Sequence, residues 1–139
     1  MPTLCTYDYA IVRVVPHVER GEFVNAGVIV ACASQGFLKA RVELDEARVR
    51  ALDATADLES IRAALQAIPA LCAGGDAAGP IGRLSLRERF DWLVAPRSTS
   101  IQVSPVHVGR SADLDAELQR LMAKMVLPAA PAQRGGTRR

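Results

Sequence analysis

The 139 residues are 50% apolar and 23% charged with a formal net charge of +2, the balance of one soluble globular domain with a core of its own. No apolar run approaches the ~18 residues of a membrane span, and the start Met1-Pro-Thr-Leu-Cys-Thr6 lacks the basic and apolar regions of a secretory signal. Three widely spaced cysteines, Cys5, Cys32 and Cys72, form no Cys-x-x-Cys pair; they argue against a disulfide framework and against zinc, and fit a reducing cytoplasm.

Residues 7 to 15, Tyr-Asp-Tyr-Ala-Ile-Val-Arg-Val-Val, form a β-rich run that Pro16 ends. Ala10, Val12 and Val14 share one side, and Tyr7, Tyr9, Ile11 and Arg13 the other. Being apolar on both sides, the run reads as an interior strand. The loop Arg20-Gly-Glu-Phe23 leads into a second strand at 23 to 33, apolar at Val24, Ala26, Val28, Val30 and Cys32. That strand also carries Asn25 and Gly27, two residue types depleted from strands. Glycine inside a strand marks a bulge or a close backbone approach.

A third strand at 37 to 44 alternates Leu38, Ala40, Val42 and Leu44 with Phe37, Lys39, Arg41 and Glu43. Both apolar sets fall on even numbers, and directly paired residues share a face. A three-residue loop, Ser34-Gln35-Gly36, meets that parity and pairs Ala33 with Phe37, with Gly36 in the left-handed conformation such loops need. In this register Val30 faces Ala40, Ile29 faces Arg41 and Gly27 faces Glu43. Asn25 then lies on the side away from the valine-rich core.

Asp45 caps a short helix to Leu52. Asp57 caps a longer one with the stripe Leu58, Ile61, Leu65 and Ile68, which Pro69 bends and Gly74-Gly75 ends. Ser85 and Glu88 form a capping box for a helix from Leu86 to Val94. A fourth strand spans Thr99 to Val103, apolar at Thr99, Ile101 and Val103 and polar at Ser98, Ser100, Gln102 and Ser104. The last helix, after Ser111 or Asp113, carries Leu114, Leu118, Leu121, Met122 and Met125 on one stripe. This order predicts a two-layer α+β domain over residues 1–127, a mainly antiparallel sheet of about four strands with helices packed on one face. Strand one lies inside that sheet, with strands two and four on either side. Residues 128–139 hold three arginines and no acid, so the body without them is +2 − 3 = −1. That segment reads as a disordered basic tail, too weakly charged to indicate a nucleic-acid partner.

Two polar clusters are the places to look for function. The first is Arg20, Glu22 and Asn25. The second is Arg97, Ser98, Gln102 and Ser104, with His107 bracketing the row. With strand one in the middle, Arg13 stands between them, and the donors could converge on an anion or an acidic segment. Neither cluster carries a Gly-x-Ser-x-Gly elbow, a metal-ligand spacing or a phosphate loop, so no catalytic residue, metal or cofactor is assigned.

The runs Tyr7–Val15, Glu19-Arg-Gly-Glu-Phe-Val-Asn-Ala-Gly-Val28, Arg89-Phe90, Ala95-Pro-Arg-Ser98 and Gln102-Val-Ser-Pro-Val-His-Val-Gly109 resemble a family of small bacterial proteins known only as a domain of unknown function. Members of that family are often encoded beside a protein similar to HipA-type kinases. The resemblance implies a kinase-like protein as a partner and carries over no catalytic or binding residue. The expectation is a non-enzymatic interaction or regulatory module acting with a protein partner. The alternative is a small enzyme or nucleotide- or anion-binding protein using the Arg20–Asn25 and Arg97–Ser104 clusters.

Overall fold

The structure, a computed structural model, describes residues 3–128. The expectation for a basic tail at 128–139 therefore falls, from residue 129 on, outside the described residues. Strands β1 (Cys5–Val14), β2 (Val24–Cys32) and β3 (Phe37–Val42) are followed by helices α1 (Glu46–Leu52), α2 (Leu58–Ala73) and α3 (Leu86–Val94). Strands β4 (Ile101–Val103) and β5 (His107–Ser111) and helix α4 (Leu114–Met125) complete the fold. The sheet is antiparallel in the order β3-β2-β1-β4, with β5 also paired to β1. The α+β class and the interior place of β1 are as the pattern indicates. Asp45, Asp57, Ser85 and Asp113 each accept from a backbone N–H in the first turn of their helix, and Ser85 and Glu88 complete the capping box.

The helices lie on both faces of the sheet, which corrects the one-face arrangement expected from the sequence. On one face Val12, Val14, Ile29, Ala31 and Leu38 pack with Val49 of α1, Ile61 and Leu65 of α2 and Phe90 of α3. On the other, Tyr7, Ile11, Val28 and Val30 pack with Leu118, Leu121 and Met122 of α4. Each such side chain taken from water contributes roughly 1.5–3 kcal/mol, and among the described residues α4 is the helix that covers this face.

The reason lies in one residue of β2. Val12 pairs with Gly27 but Arg13 pairs with Asn25, so Ala26 is an extra residue, a β-bulge. Before it, Val24 and Ala26 join the face of α1 to α3; beyond it, Ile29 and Ala31 take that face and Val28 and Val30 turn to α4. A single even-numbered apolar face therefore does not exist in β2. The hairpin register changes with it. Cys32 pairs with Phe37, Ile29 with Ala40 and Gly27 with Val42. The connection is thus Ala33–Gly36, one residue longer than expected, with Gly36 left-handed at φ 62°.

Tyr7 crosses from β1 to α4, where its hydroxyl donates to the Glu117 carboxylate. It passes over Gly109 of β5, where a Cβ would sit 2.5 Å from the ring. Burial first, then the bond to Glu117 and the carboxylate's charge, pushes its pKa up from 10.0 to about 12. The fold holds the neutral phenol. That stability is complete below pH 10 and is lost as pH rises through 12. Melting temperature measured across this window should fall less steeply for Tyr7→Phe than for the wild type. Equal slopes would remove Tyr7 as the group responsible.

Candidate functional site

The expected site residues divide among several environments. Arg13 lies between Asn25 and Gln102 in one cross-strand row, paired with both. Because directly opposed residues share a face, all three sit on the α4 side. This corrects the expectation that Asn25 points away from the valine-rich face. The bulge turns it toward Val28 and Val30, and its Nδ2 donates to the Met125 carbonyl at 3.0 Å, where α4 ends. The Arg13 guanidinium lies 4.1 Å from the centre of the Phe23 ring, and Gln102 donates to the Thr99 carbonyl at 3.0 Å. Arg13 Nε and Asn25 Oδ1 are buried without a hydrogen-bond partner among the described residues.

Nothing brings Arg20, Arg97, Ser98, Ser104 or His107 into that row. Arg20 and Glu22 form an exposed ion pair at 2.8 Å, and the guanidinium holds the Glu22 carboxyl below its usual range. Ser98 is exposed. Exposed His107 stacks on Tyr9 with ring centres 5.2 Å apart. Ser104 is 4% exposed and fills a structural need. Its hydroxyl accepts from Ile11 N–H at 2.8 Å and donates to the Pro105 carbonyl at 2.9 Å. It spans the break between β4 and β5, where the proline has no N–H to give.

Arg97 belongs to the opposite face. Helix α3 ends at Val94, and the chain turns at Ala95-Pro96 so that Arg97 reaches back over the last turn. Its guanidinium donates to the carbonyls of Leu93 and Ala95 at 3.1 and 3.3 Å and of Trp92 at 2.7 Å. A cation at this end of a helix satisfies orphan carbonyls and meets the negative pole of the dipole. The same group lies 4.4 Å from the centre of the Trp92 ring, which fixes an indole that is 45% exposed.

That clamp forms one wall of a groove of about 280 Å³. Ala64, Ala67 and Ile68 of α2 form the second wall, and Ile101 and Val103 of β4 the floor. The floor is apolar because Val12 pairs with Val103 and Val14 with Ile101, which puts these β4 side chains on the face of α2. The signal for the groove in the sequence is the pair of small residues Ala64 and Ala67 beside Ile68 on α2. It goes unread when only the buried stripe of a helix is sought.

A model of the family described as "Protein of unknown function (DUF3037)" matches residues 9–126. The chain belongs to the DUF3037 family. No curated protein and no solved structure matches it. The DUF3037 region takes in the bulge at Ala26, the Arg97 clamp, the groove and all of α4. Among its described residues no helix is long and apolar enough to cross a membrane, and no three of His, Cys, Asp and Glu gather as metal ligands would.

Cys72 is buried behind the groove wall on α2, and burial pushes its thiol up to about 12 despite the positive charge of Arg89. That shift favours the neutral thiol over the nucleophilic thiolate.

Proposed function

We propose that this DUF3037 chain is a non-catalytic interaction module that acts with a protein partner docked on the groove between α2, α3 and β4. One observation supports the reading: the groove is open and mostly apolar, and a half-exposed tryptophan packs against the Arg97 guanidinium at its rim. Scattered exposed apolar residues are ordinary on a protein surface, whereas a contiguous concave set marks a contact site. Tryptophan and arginine are the residue types that most often anchor such contacts. A volume of about 280 Å³ lies just below the ~300–1,000 Å³ of small-molecule sites, and suits one or two side chains of a partner. The polar group at the rim, Arg97, is already committed to three carbonyls, which leaves little to orient a polar substrate.

A kinase-like protein of the HipA type, by family resemblance, is the first partner to test, and the three free thiols suit the reducing bacterial cytoplasm in which we place the pair. The alternative, a small enzyme or nucleotide- or anion-binding protein, draws less support. Its arginines are spread over different faces, with Arg20 paired to Glu22 and Arg97 turned to the end of α3.

Ala67→Arg tests the proposal. Ala67 is exposed on α2, and arginine is a good helix former, so the long side chain fills the groove without entering the core. Calorimetric binding of the purified kinase-like neighbour should weaken at least about tenfold, near 1.4 kcal/mol, with an unchanged melting temperature. Full-strength binding by Ala67→Arg would remove the groove as the contact, and no binding by the wild type would remove that neighbour as the partner.

A further inference from the structure

The floor of the groove is also an open edge of the sheet. Val15 N–H donates to the Ser100 carbonyl at 2.7 Å and Ser104 N–H to the Ile11 carbonyl at 2.8 Å. In an antiparallel ladder alternate residues exchange both bonds with their partner strand. The even-numbered residues of β4 therefore bond to β1, and Ile101 and Val103 point their N–H and C=O groups away from it. Among the described residues no strand lies on that side. The Ile101 carbonyl accepts from the Thr99 hydroxyl at 2.9 Å.

Proteins blunt an open edge with charge, proline or a covering element. The outer strand β3 carries Lys39 and Arg41, and β5 carries His107 and Arg110. The residues of β4 are Ile101, Gln102 and Val103, with no charge among them. The one uncharged edge thus coincides with the floor of the apolar groove. The same two residues, Ile101 and Val103, supply the free backbone groups, both N–H groups and the Val103 carbonyl, and the apolar side chains beside them. A helix or a small apolar molecule could cover the side chains but would leave the backbone groups unanswered. An extended peptide answers both.

We infer that β4 is a strand-addition edge: an extended, uncharged segment of the partner protein pairs its backbone with Ile101 and Val103 and sets two apolar side chains, two residues apart, into the groove. The inference rests on the groove being the docking site. Backbone pairing supplies affinity, and the side chains beside Trp92 and Ala67 supply selectivity. The recognised sequence is therefore short, with period two.

The test begins with selection of random twelve-residue peptides displayed on phage against the full chain. The recovered peptides should carry apolar residues at i and i+2, and the best of them, made synthetically, is the probe. Val103→Pro removes one outward N–H that the fold does not use, since proline is tolerated on an edge strand with that group toward solvent. It should weaken the probe at least tenfold, as should Ala67→Arg. N-methylation of the peptide at alternate residues should weaken binding with period two, a measurement independent of whether Val103→Pro folds. Loss with Ala67→Arg but full binding to Val103→Pro and no period-two effect overturns strand addition and leaves the groove in place. Full binding to Ala67→Arg overturns the groove reading and the inference with it. Peptides with apolar residues at helical spacing, or no peptides recovered, also overturn strand addition.

Discussion

Gly27→Ala should destabilise the domain by about 3 kcal/mol or more, at the upper end of what overpacking a core costs. The cause is space rather than backbone freedom, because Gly27 is not among the glycines with positive φ. A Cβ built there falls 2.6 Å from the Arg41 carbonyl oxygen and 2.9 Å from Cγ1 of Val42. The oxygen is a backbone atom of β3, so relief requires the strand to move. Gly27 also follows the extra residue Ala26, and the bulge decides which β2 residues face α4. Pushing β3 away would disturb the pairing of Gly27 with Val42 and the packing of Val28 and Val30 together. Chemical denaturation of Gly27→Ala should show a midpoint well below wild type, and Gly36→Asn, at an open left-handed turn, should cost far less. Equal, small losses in both would mean that the close approach at Gly27 is easily relaxed.

The same glycine shows how far the sequence can be read. Its presence in a strand points to a bulge or a close approach, and the structure holds both. What the residues do not disclose is that the extra position is Ala26, one step before the glycine. Parity arguments assume an unbroken period of two. A single inserted residue reverses them, and Asn25, the hairpin register and the side on which α4 packs all follow from that reversal. Helices, by contrast, are legible from local chemistry. Asp45, Asp57 and the Ser85–Glu88 box mark their starts because a cap is a contact within one turn. The interior place of β1 is legible because both of its sides are apolar.

The candidate site is less legible, for a related reason. The row Gln102–Arg13–Asn25 follows from strand order, yet the polar alternation from Ser98 to Ser104 is not one surface. Arg97 turns back to end α3, and Ser104 turns inward at the point where the edge strand breaks. Polar residues spaced by two mark a face only while the strand continues, and β4 is three residues long. Strand β5 escapes notice because Pro105 ends the pattern just before it. The groove rests on what β4 presents to α2 and α3, which requires knowing the pairing of Val12 with Val103 and Val14 with Ile101.

Ser104→Ala should cost about 1–3 kcal/mol, the penalty for leaving a buried backbone donor unsatisfied. The Ile11 N–H bonds to the Ser104 hydroxyl at 2.8 Å. In alanine the oxygen is gone, and Ile11 is 7% exposed and Ser104 4%, so water has little access to replace it. The loss should be local as well. Hydrogen exchange at the Ile11 amide should accelerate in Ser104→Ala, while amides of β2 and β3 keep their protection. Wild-type exchange at Ile11 together with weakened binding would reverse the assignment, returning Ser104 to the contact surface. Stability loss with fast exchange at Ile11 places the serine in the fold. There it holds β4 against β1 at the break, and so holds in place the edge and the groove floor that β4 supplies.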